Sequence, residues 1–421
     1  MTRPEITRFE PLRGQENPSR AVAWMEPENG GRRSRLQVTG YIHPADLCVG
    51  RPVEELPRIL SIYSPAHHLA AARLLDRLFD VEPPDNAVNM RDALGQALTM
   101  VHHLRKLHVL AIDPDHPFPD HHKTARPGGR RAARTHQLTE TVMRTLAMAQ
   151  EAATILGGRS DHPLTCVAGG VSRFLKDGLY ERLAEIADAC LPLTRKIETD
   201  FREWAFAPDG PLQPASGESS AVDVAAMATV IDGEVRLLDG GGEIIDRFPP
   251  EATPEKIAVE TAPWTRLSFA APRNGSGGQP DGTTVLVGPA ARLAETSEGS
   301  KTLKTSAVSA CRAILTELVG TAEAMAETYI KERFLGPEIR IIPESMRTDA
   351  WAALEGPAGP ILCGVTVDER GLVTSIQVVD PAMLNHALRC RLAEATVAEG
   401  FAANRPATEI KRRMEVRLIP F

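Results

Sequence analysis

The chain has 421 residues, of which 43% are hydrophobic and 24% charged, and its formal net charge is -7. This composition is typical of a globular protein, and its acidic balance argues against general nucleic-acid binding. No apolar run approaches the ~20 residues of a membrane-spanning helix, the N-terminal stretch lacks the apolar core of a signal peptide, and the cysteines stand singly. We therefore expect a cytoplasmic protein with reduced thiols.

The N-terminal third of the chain opens with strands and continues with helices. AVAWMEP and RSRLQVTGYI flank the turn-rich ENGGRR, which predicts a strand pair within 19–42. Ser64 and Pro65 are typical of a helix start and predict a helix over SPAHHLAAARLLDRLF. A second helix is expected over DNAVNMRDALGQALTMVHHLRKLHVLAI, with Asp85 as its cap. Residues 113–136 are rich in Pro, His and Arg, which predicts an exposed loop.

The rest of the chain combines long helices with a strand-rich insertion. Helices are expected at about 136–156 and over the second part of GVSRFLKDGLYERLAEIADACLPLTRKIETDFREWA. Between 208 and 297, frequent Gly, Pro and Thr and short strands such as EVRLLDG and TTVLVG predict a β-rich insertion. A long amphipathic helix is expected over 300–334, and ILCGVTVDERGLVTSIQVVD predicts a hairpin.

The segment PRILSIYSPAHHLAAA, residues 57–72, resembles without a gap the first metal-binding motif of nickel–iron hydrogenase large subunits, PRICGICPxAHxLAA. Arg58 and His67 are among the residues that match, whereas Leu60 and Tyr63 stand at the two family cysteines. A thiolate bridges nickel and iron because sulfur is soft and deprotonates readily. Leucine cannot ligate a metal, and a neutral phenol is a poor substitute. The resemblance implies the fold, and the substitutions argue against the reaction.

Further segments resemble the same family in the same order along the chain. They correspond to the family's GRPxEExPRI, GGRxxHPxTxxxGGV, VGPLARL and VTPTTWN sequences and lie at 38–59, 157–173, 287–293 and 378–385. With the first motif these are five colinear segments, and together they imply common fold and ancestry. The resemblance is to the cytoplasmic, flavoprotein-linked type, which implies a cytoplasmic protein that works with partner proteins.

Other departures from the family pattern accompany the loss of the cysteines. Ala358 stands at the arginine of the family's ExPRGxxxH sequence, and Cys363 falls near its histidine. Ala382 stands where a family hydroxyl bonds an iron-bound cyanide, although Asn385 is retained. The second metal motif, DPCxxCxxH, would follow Phe421, and we expect it to be absent. We interpret these positions as a vacated metal site, with no catalytic residue and no metal ligand.

The resemblance implies an α+β fold with a central bundle of long helices and small peripheral sheets and hairpins. We expect a single large-subunit-like domain over 1–421. Its expected parts are a β-rich N-terminal part, a helical core, a β- and loop-rich insertion, a core helix, and a C-terminal hairpin and tail, at 19–59, 60–207, 208–297, 298–335 and 336–421.

Several residues admit both a functional and a structural interpretation. Tyr63 could hold an organic ligand such as a quinone head group, or it could fill the vacated space together with Leu60, since empty core volume is costly. The other candidates for the cavity or its surroundings are Arg58, His67, Cys363 and Asn385. His67 is either a ligand or a structural hydrogen-bonding residue. Cys363 is either a single soft ligand or a small core residue.

Three further features could have a function, although a solvated loop or face is the default interpretation of the first two. The histidine and aspartate cluster within 113–122 could bind a divalent metal loosely. The basic run RPGGRRAAR at 126–134 could contact an acidic partner, and Glu16 could correspond to a proton-gating glutamate of the family.

Three functions are consistent with the sequence. The first is a non-catalytic scaffold or partner-binding protein in hydrogenase maturation, which would carry the nickel–iron cofactor or its iron–dicyanide–carbonyl precursor; without that role no cofactor is expected. The second is a structural subunit of an electron-transfer complex, docked on an iron–sulfur small subunit and possessing a non-metal ligand in the cavity. The third, an active hydrogenase, requires ligands from elsewhere. A protein partner is expected for the first two, without nucleic acid and without a membrane span.

Overall fold

A computed structural model describes residues 7–9, 21–28, 31–111, 130–176, 178–206, 212, 221–273, 283–295, 304–330 and 334–421. In these ranges the helices, in chain order, are α1 (Pro44–Cys48), α2 (Leu56–Leu60), α3 (Pro65–Leu78), α4 (Asp85–Ala111), α5 (Arg130–Gly157), α6 (Leu179–Ala205), α7 (Thr253–Lys256), α8 (Pro289–Glu295), α9 (Ala307–Thr328), α10 (Pro381–Leu384), α11 (His386–Ala402) and α12 (Ala407–Leu418). None of the helices in the described residues is long and apolar enough to cross a membrane.

The strands form small sheets at the periphery. In chain order they are β1 (Thr7–Phe9), β2 (Ala21–Glu28), β3 (Gly31–Val38), β4 (Cys166–Val167), β5 (Gly170–Val171), β6 (Val222–Asp223), β7 (Ala226–Ile231), β8 (Glu234–Asp239), β9 (Ile244–Phe248), β10 (Ile257–Glu260), β11 (Phe269–Pro272), β12 (Val285–Leu286), β13 (Lys304–Thr305), β14 (Asp349–Gly356), β15 (Gly359–Val367) and β16 (Val373–Val379). The larger sheets have the orders β1-β2-β3, β12-β7-β8-β9 and β14-β15-β16, and β12 pairs with β7 in parallel.

Four long helices form the centre of the molecule. Helix α4 packs on α5 and α9, and α6 packs on the same two helices. Their apolar residues recur at three and four positions, as α6 illustrates with Leu183, Ile186, Cys190, Ile197 and Phe201, all fully buried. Burying a large apolar side chain contributes about 1.5–3 kcal/mol. The bundle is therefore held together mainly by these apolar faces.

The sheet β14-β15-β16 packs against α3 beside this bundle. Nearly every residue of β15 is buried, as expected for the central strand of a sheet that is covered on both sides. The turn from β14 to β15 points towards the start of α3, where the first motif lies. This contact brings sequence segments about 290 residues apart to one place, as Ala66 and Gly356 line the same cavity.

The predicted α+β class with a helical centre and peripheral sheets is confirmed. The strand pair within 19–42 corresponds to β2 and β3, and the helices expected after Ser64 and over 300–334 correspond to α3 and α9. The hairpin is present as β15 and β16, but β14 adds a third strand that the sequence analysis missed.

Three boundaries differ from the predictions. Residues 130–136 belong to α5 and not to a loop, and 113–129 lie outside the described residues. Asp85 is the first residue of α4 and not the residue before it. The expected tail within 336–421 contains α10, α11 and α12. The sequence of α11 hides its periodicity, because alanines and arginines lie between its buried leucines.

A close backbone contact fixes the segment between β4 and β5. Gly169 has φ +75° and its carbonyl oxygen accepts a hydrogen bond from the Ile341 N–H at 2.9 Å. A Cβ atom at Gly169 would overlap the Ile341 carbonyl oxygen, whereas one at Gly178, with φ +83°, would meet no atom within 4 Å. The two glycines therefore share the left-handed conformation and differ only in crowding.

Gly169→Ala and Gly178→Ala separate these two effects. We expect Gly178→Ala to lower the free energy of unfolding by about 1 kcal/mol, the cost of an alanine in the left-handed region. Gly169→Ala should cost about 3 kcal/mol or more, because the backbone must also move. Urea denaturation of both variants measures the difference. Equal losses would contradict the close contact with Ile341.

Candidate functional site

The turn after α2 carries the positions of the first motif and is anchored by hydrogen bonds within the chain. The Ser61 hydroxyl donates to the Arg58 carbonyl oxygen at 2.8 Å and lies 2.7 Å from His162 Nδ1. The Tyr63 hydroxyl donates to the Ile42 carbonyl oxygen at 2.6 Å. Burial raises the pKa of Tyr63, so its phenol is neutral at physiological pH. Tyr63 is thus a buried, hydrogen-bonded phenol.

The two histidines at the start of α3 both make structural hydrogen bonds. His68 Nε2 accepts from the Cys166 N–H at 3.0 Å, so its Nδ1–H donates to the Pro57 carbonyl oxygen at 3.0 Å. His67 Nδ1 lies 2.8 Å from the Ser64 hydroxyl. Burial lowers the pKa of His67 to about 3 and contributes most to a pKa of about 4 for His68. Both rings are therefore neutral at pH 7.

A cavity lies next to this turn, and we call it the central cavity. Its walls are the start of α3 with Tyr63 and His67, one face of α4, the β14–β15 turn around Ala358, and the segment from Asp380 through α10 to Asn385. Arg389 and Ile419 complete it. The volume of the cavity is about 130 Å³. A cavity of about this size can hold a small organic molecule such as a single ring.

One face of α4 contributes more residues to the central cavity than any other helix. The contributing positions are three or four residues apart, so they share one side of the helix. They are Leu98, Val101, His102, Arg105, Lys106 and Val109. The sequence analysis missed these residues, although the HHLRK run on a helix face was a signal that could have found the two cations.

The structure brings five of the sequence-predicted site residues to the central cavity, namely Tyr63, His67, Ala358, Ala382 and Asn385. Asn385 Oδ1 accepts a hydrogen bond from the Val287 N–H at 3.1 Å, which ties two family-like segments together. Asp380, another residue that the sequence analysis missed, caps α10 by accepting from the Met383 N–H at 2.9 Å.

Three predicted residues do not line the central cavity. Leu60 is fully buried in the core. Arg58 leaves 62% of its side chain exposed and pairs with Glu55 at 3.0 Å, so it lies at the surface. Cys363 is fully buried on β15, between Ala352 and Val378 of the neighbouring strands. Cys363 lies on the same face of β15 as Ile361, which lines the cavity, but two residues farther along the strand and beyond the lining.

Burial keeps the thiols protonated. Burial raises the pKa of Cys363, and Asp380 and Cys48 raise it further. All six cysteines lie in the described part of the chain, and each is free of disulfide bonding. In the described ranges no group of three or more His, Cys, Asp and Glu side chains is placed to hold a metal ion. The lining residues therefore do not fit a nickel–iron centre, which needs several thiolates.

An ion-pair network, which we call the Arg292 network, holds one wall of the central cavity. Arg292 Nη2 lies 2.8 Å from Glu317, and Nη1 pairs with Glu355. The same guanidinium donates to the carbonyl oxygens of Gly356 and Pro357, each at 3.1 Å. Arg292 thus joins α8, α9 and the β14–β15 turn through a single planar group.

The two carboxyl groups of the Arg292 network have opposite pKa shifts. Burial raises the pKa of Glu355 to about 7, against the lowering effect of Arg292. Burial would also raise the pKa of Glu317, but Arg292 and His103 bring it down to about 2. His103 Nε2 lies 2.8 Å from Glu317. Glu317 is therefore the carboxylate that carries the charge opposite Arg292 at all working pH values.

The remaining sequence features cannot be located. The histidine and aspartate cluster within 113–122 and Glu16 lie outside the described residues. The basic run at 126–134 is described only for the backbone of residues 130–134, which begin α5.

The sequence is similar to subunits of archaeal hydrogenases. It is 26% identical to a subunit of the F420-non-reducing hydrogenase of Methanothermobacter thermautotrophicus over 412 residues, covering 90% of this chain and 84% of the relative. It is 24% identical to a subunit of the F420-non-reducing hydrogenase vhc of Methanococcus voltae, covering 80% and 76% of the two chains. No protein-family model matches the sequence.

The fold is similar to that of solved hydrogenases. A chain of an NAD+-reducing [NiFe]-hydrogenase in the H2-reduced state superposes with a TM-score of 0.78 at 22% identity, over 99% of this chain and 97% of the other. A chain of the Ni-Fe-Se hydrogenase from D. vulgaris Hildenborough gives a TM-score of 0.68 at 15% identity, over 99% of both chains. The central cavity therefore lies in a large-subunit-like fold.

Arg292→Met tests the role of the Arg292 network. We expect it to lower the free energy of unfolding by about 3 kcal/mol, because two half-buried carboxyl groups lose their cationic partner and two carbonyl oxygens lose this donor. Arg195→Met is the matched control: Arg195 is 61% exposed and pairs with Glu323 at 3.0 Å. Its loss should cost less than about 1 kcal/mol. Urea denaturation measures both, and similar losses would contradict a structural role for Arg292.

Proposed function

The chain belongs to the family of nickel–iron hydrogenase large subunits, and we propose that it is a non-catalytic member that acts as a cytoplasmic scaffold or partner-binding protein in hydrogenase maturation. The observation that carries this proposal is a central cavity that is lined in part by the family-like segments and has no set of metal ligands among the described residues that line it. A large-subunit-like fold without that set retains surfaces and a cavity for binding, and lacks the soft ligands of the reaction.

The residues at the four vacated positions support a loss of metal chemistry. Leu60 is an apolar core residue, and Ala358 and Ala382 offer only methyl groups to the cavity wall. The Tyr63 hydroxyl is engaged with the Ile42 carbonyl oxygen. None of these four side chains can act as a soft ligand, and a guanidinium or hydroxyl group at 358 or 382 is missing. Several independent losses in one cavity favour a binding role.

The relatives support a protein partner. Their names identify each of them as one subunit of a hydrogenase, so those proteins work within assemblies. We propose that this chain keeps such a docking role and binds either maturation factors or an iron–sulfur protein similar to a hydrogenase small subunit. In the scaffold role the cargo would be the iron–dicyanide–carbonyl precursor of the cofactor.

A second candidate function is that of a structural subunit in an electron-transfer complex. The observation that favours it is the position of Tyr63 and His67, whose ring centroids are 5.6 Å apart and which line the same cavity. A phenol and a neutral imidazole in a cavity that lacks thiols suit a non-metal organic ligand, such as a quinone head group. In this case the chain would dock on an iron–sulfur subunit.

Purification of the protein from its own host, with its partners, tests the proposed function. We expect maturation proteins to co-purify and little or no nickel. Infrared bands in the cyanide and carbonyl stretching region without nickel would identify the precursor as cargo. Nickel and iron at about one each, with hydrogen uptake, would overturn the proposal. An iron–sulfur or flavin subunit as the stoichiometric partner, without those bands, would favour the electron-transfer complex instead.

Restoring the cysteines of the first motif should not create an enzyme. We expect Leu60→Cys together with Tyr63→Cys to show no hydrogen uptake, because the lining residues at 358 and 382 remain alanine and no second thiolate pair lies among the residues that line the cavity. A hydrogen-uptake assay with a redox dye measures this, and thermal denaturation checks that the double variant folds. Hydrogen uptake by the folded double variant would show that ligands come from elsewhere.

A further inference from the structure

Two buried nitrogen atoms at the central cavity have no hydrogen-bond partner among the described residues. They are His67 Nε2 and Arg389 Nε. His67 is 3% exposed, and both residues line the cavity. A buried polar atom without a partner costs about 1–3 kcal/mol. Two of them on one cavity wall indicate that a bound molecule supplies the missing partner.

Both residues lie near Asp380. His67 Nε2 is 3.8 Å from Asp380 Oδ2, which is too far for a hydrogen bond. Arg389 acts on the carboxyl group of Asp380 and lowers its pKa, although burial raises it overall. When the Ser64 hydroxyl donates to His67 Nδ1, Nε2 carries a hydrogen and is a donor. The orphaned groups are then two N–H donors that belong to residues lining one cavity.

The charges of the lining favour an anion. Three cationic side chains line the central cavity, Arg105, Lys106 and Arg389, against the single carboxyl group of Asp380. Burial lowers the pKa of Arg389 only to about 10, so its guanidinium stays charged at pH 7. Lys106 Nζ donates to the Pro420 carbonyl oxygen, and Arg105 pairs with Asp161. Their positive charges still act on a ligand within the cavity.

Much of the remaining lining is apolar, which favours an organic anion with an apolar body over a small inorganic anion. Aliphatic side chains and alanine methyl groups face the space from several elements; they are Leu98, Val101, Val109, Ile361, Ala382 and Ile419. A small inorganic anion would leave these surfaces in contact with water. An organic anion covers them and gains the free energy of apolar burial.

We propose that the central cavity binds an organic monocarboxylate. The carboxylate accepts hydrogen bonds from Arg389 Nε and His67 Nε2, and its apolar body lies against Leu98, Val101 and Ile361. Charge-assisted hydrogen bonds of this kind are the strong ones in proteins. Carboxylate binding in the cavity does not depend on a role in maturation. The protein could therefore bind no carboxylate and still act in maturation, or bind a carboxylate and have no role in maturation.

Calorimetric titration with benzoate and hexanoate tests the proposal. We expect at least one of them to bind with a dissociation constant below ~1 mM, equivalent to about −4 kcal/mol. Benzyl alcohol, which has the ring but no charge, and inorganic phosphate, which has the charge but no apolar body, should bind at least about tenfold more weakly at the same ionic strength. Binding of neither carboxylate, or of phosphate as tightly, would overturn the proposal.

Variants locate the binding at the central cavity. Arg389→Gln removes the charge and should weaken carboxylate binding about tenfold or more. Ala382→Leu keeps every polar group and fills the space, so it should also abolish binding. If Arg389→Gln does not fold, Ala382→Leu alone tests whether the carboxylate binds in the central cavity. Arg195→Gln, which removes an exposed cation on α6, is the control and should leave the affinity unchanged. Unchanged affinity in Ala382→Leu would show that the ligand binds elsewhere.

Discussion

The Arg292 guanidinium is the interaction on which the central cavity most depends. It neutralises Glu317 on α9, pairs with Glu355 on β14 and donates to two carbonyl oxygens of the β14–β15 turn. Glu317 and Glu355 lie 25 and 63 residues from Arg292 in sequence and on separate elements, so local preference alone does not bring the three side chains together. Because the group is planar and has several donors, one side chain can fix three elements at defined angles. The cavity wall is thereby set by charge as well as by packing.

Much of the fold could be predicted from the sequence because its signals are local. Ser64 and Pro65 start a helix as their types suggest, and the long central helices follow their apolar spacing. The colinear segments identified the large-subunit-like fold, since each keeps several residues in frame. The C-terminal helices were not predicted from the sequence. The apolar positions of α11 are separated by alanines and arginines, so its sequence shows no clear helical periodicity.

The candidate site was only partly predictable, for a physical reason. Motif matching finds residues that stand in a known pattern, so Tyr63, Ala358, Ala382 and Asn385 were found and do meet. It cannot give the extent of a cavity, and Cys363 lies on the same face of β15 as Ile361 but beyond the cavity lining. The groups that give the cavity its charge come from α4 and α11, outside every motif. These side chains reach the cavity only because α4 and α11 pack beside it, and that packing depends on the whole chain.

The anchoring of the first-motif turn has a consequence for the timing of biogenesis. Ser61, Tyr63 and His68 fasten the turn and the start of α3 to Arg58, Ile42, Pro57 and Cys166 by hydrogen bonds. Because polypeptide contacts set the shape of this turn, a chain that carries no metal, as we propose here, can fold without waiting for metal insertion. Its abundance in the cell would then follow its own synthesis and turnover, whatever the supply of nickel.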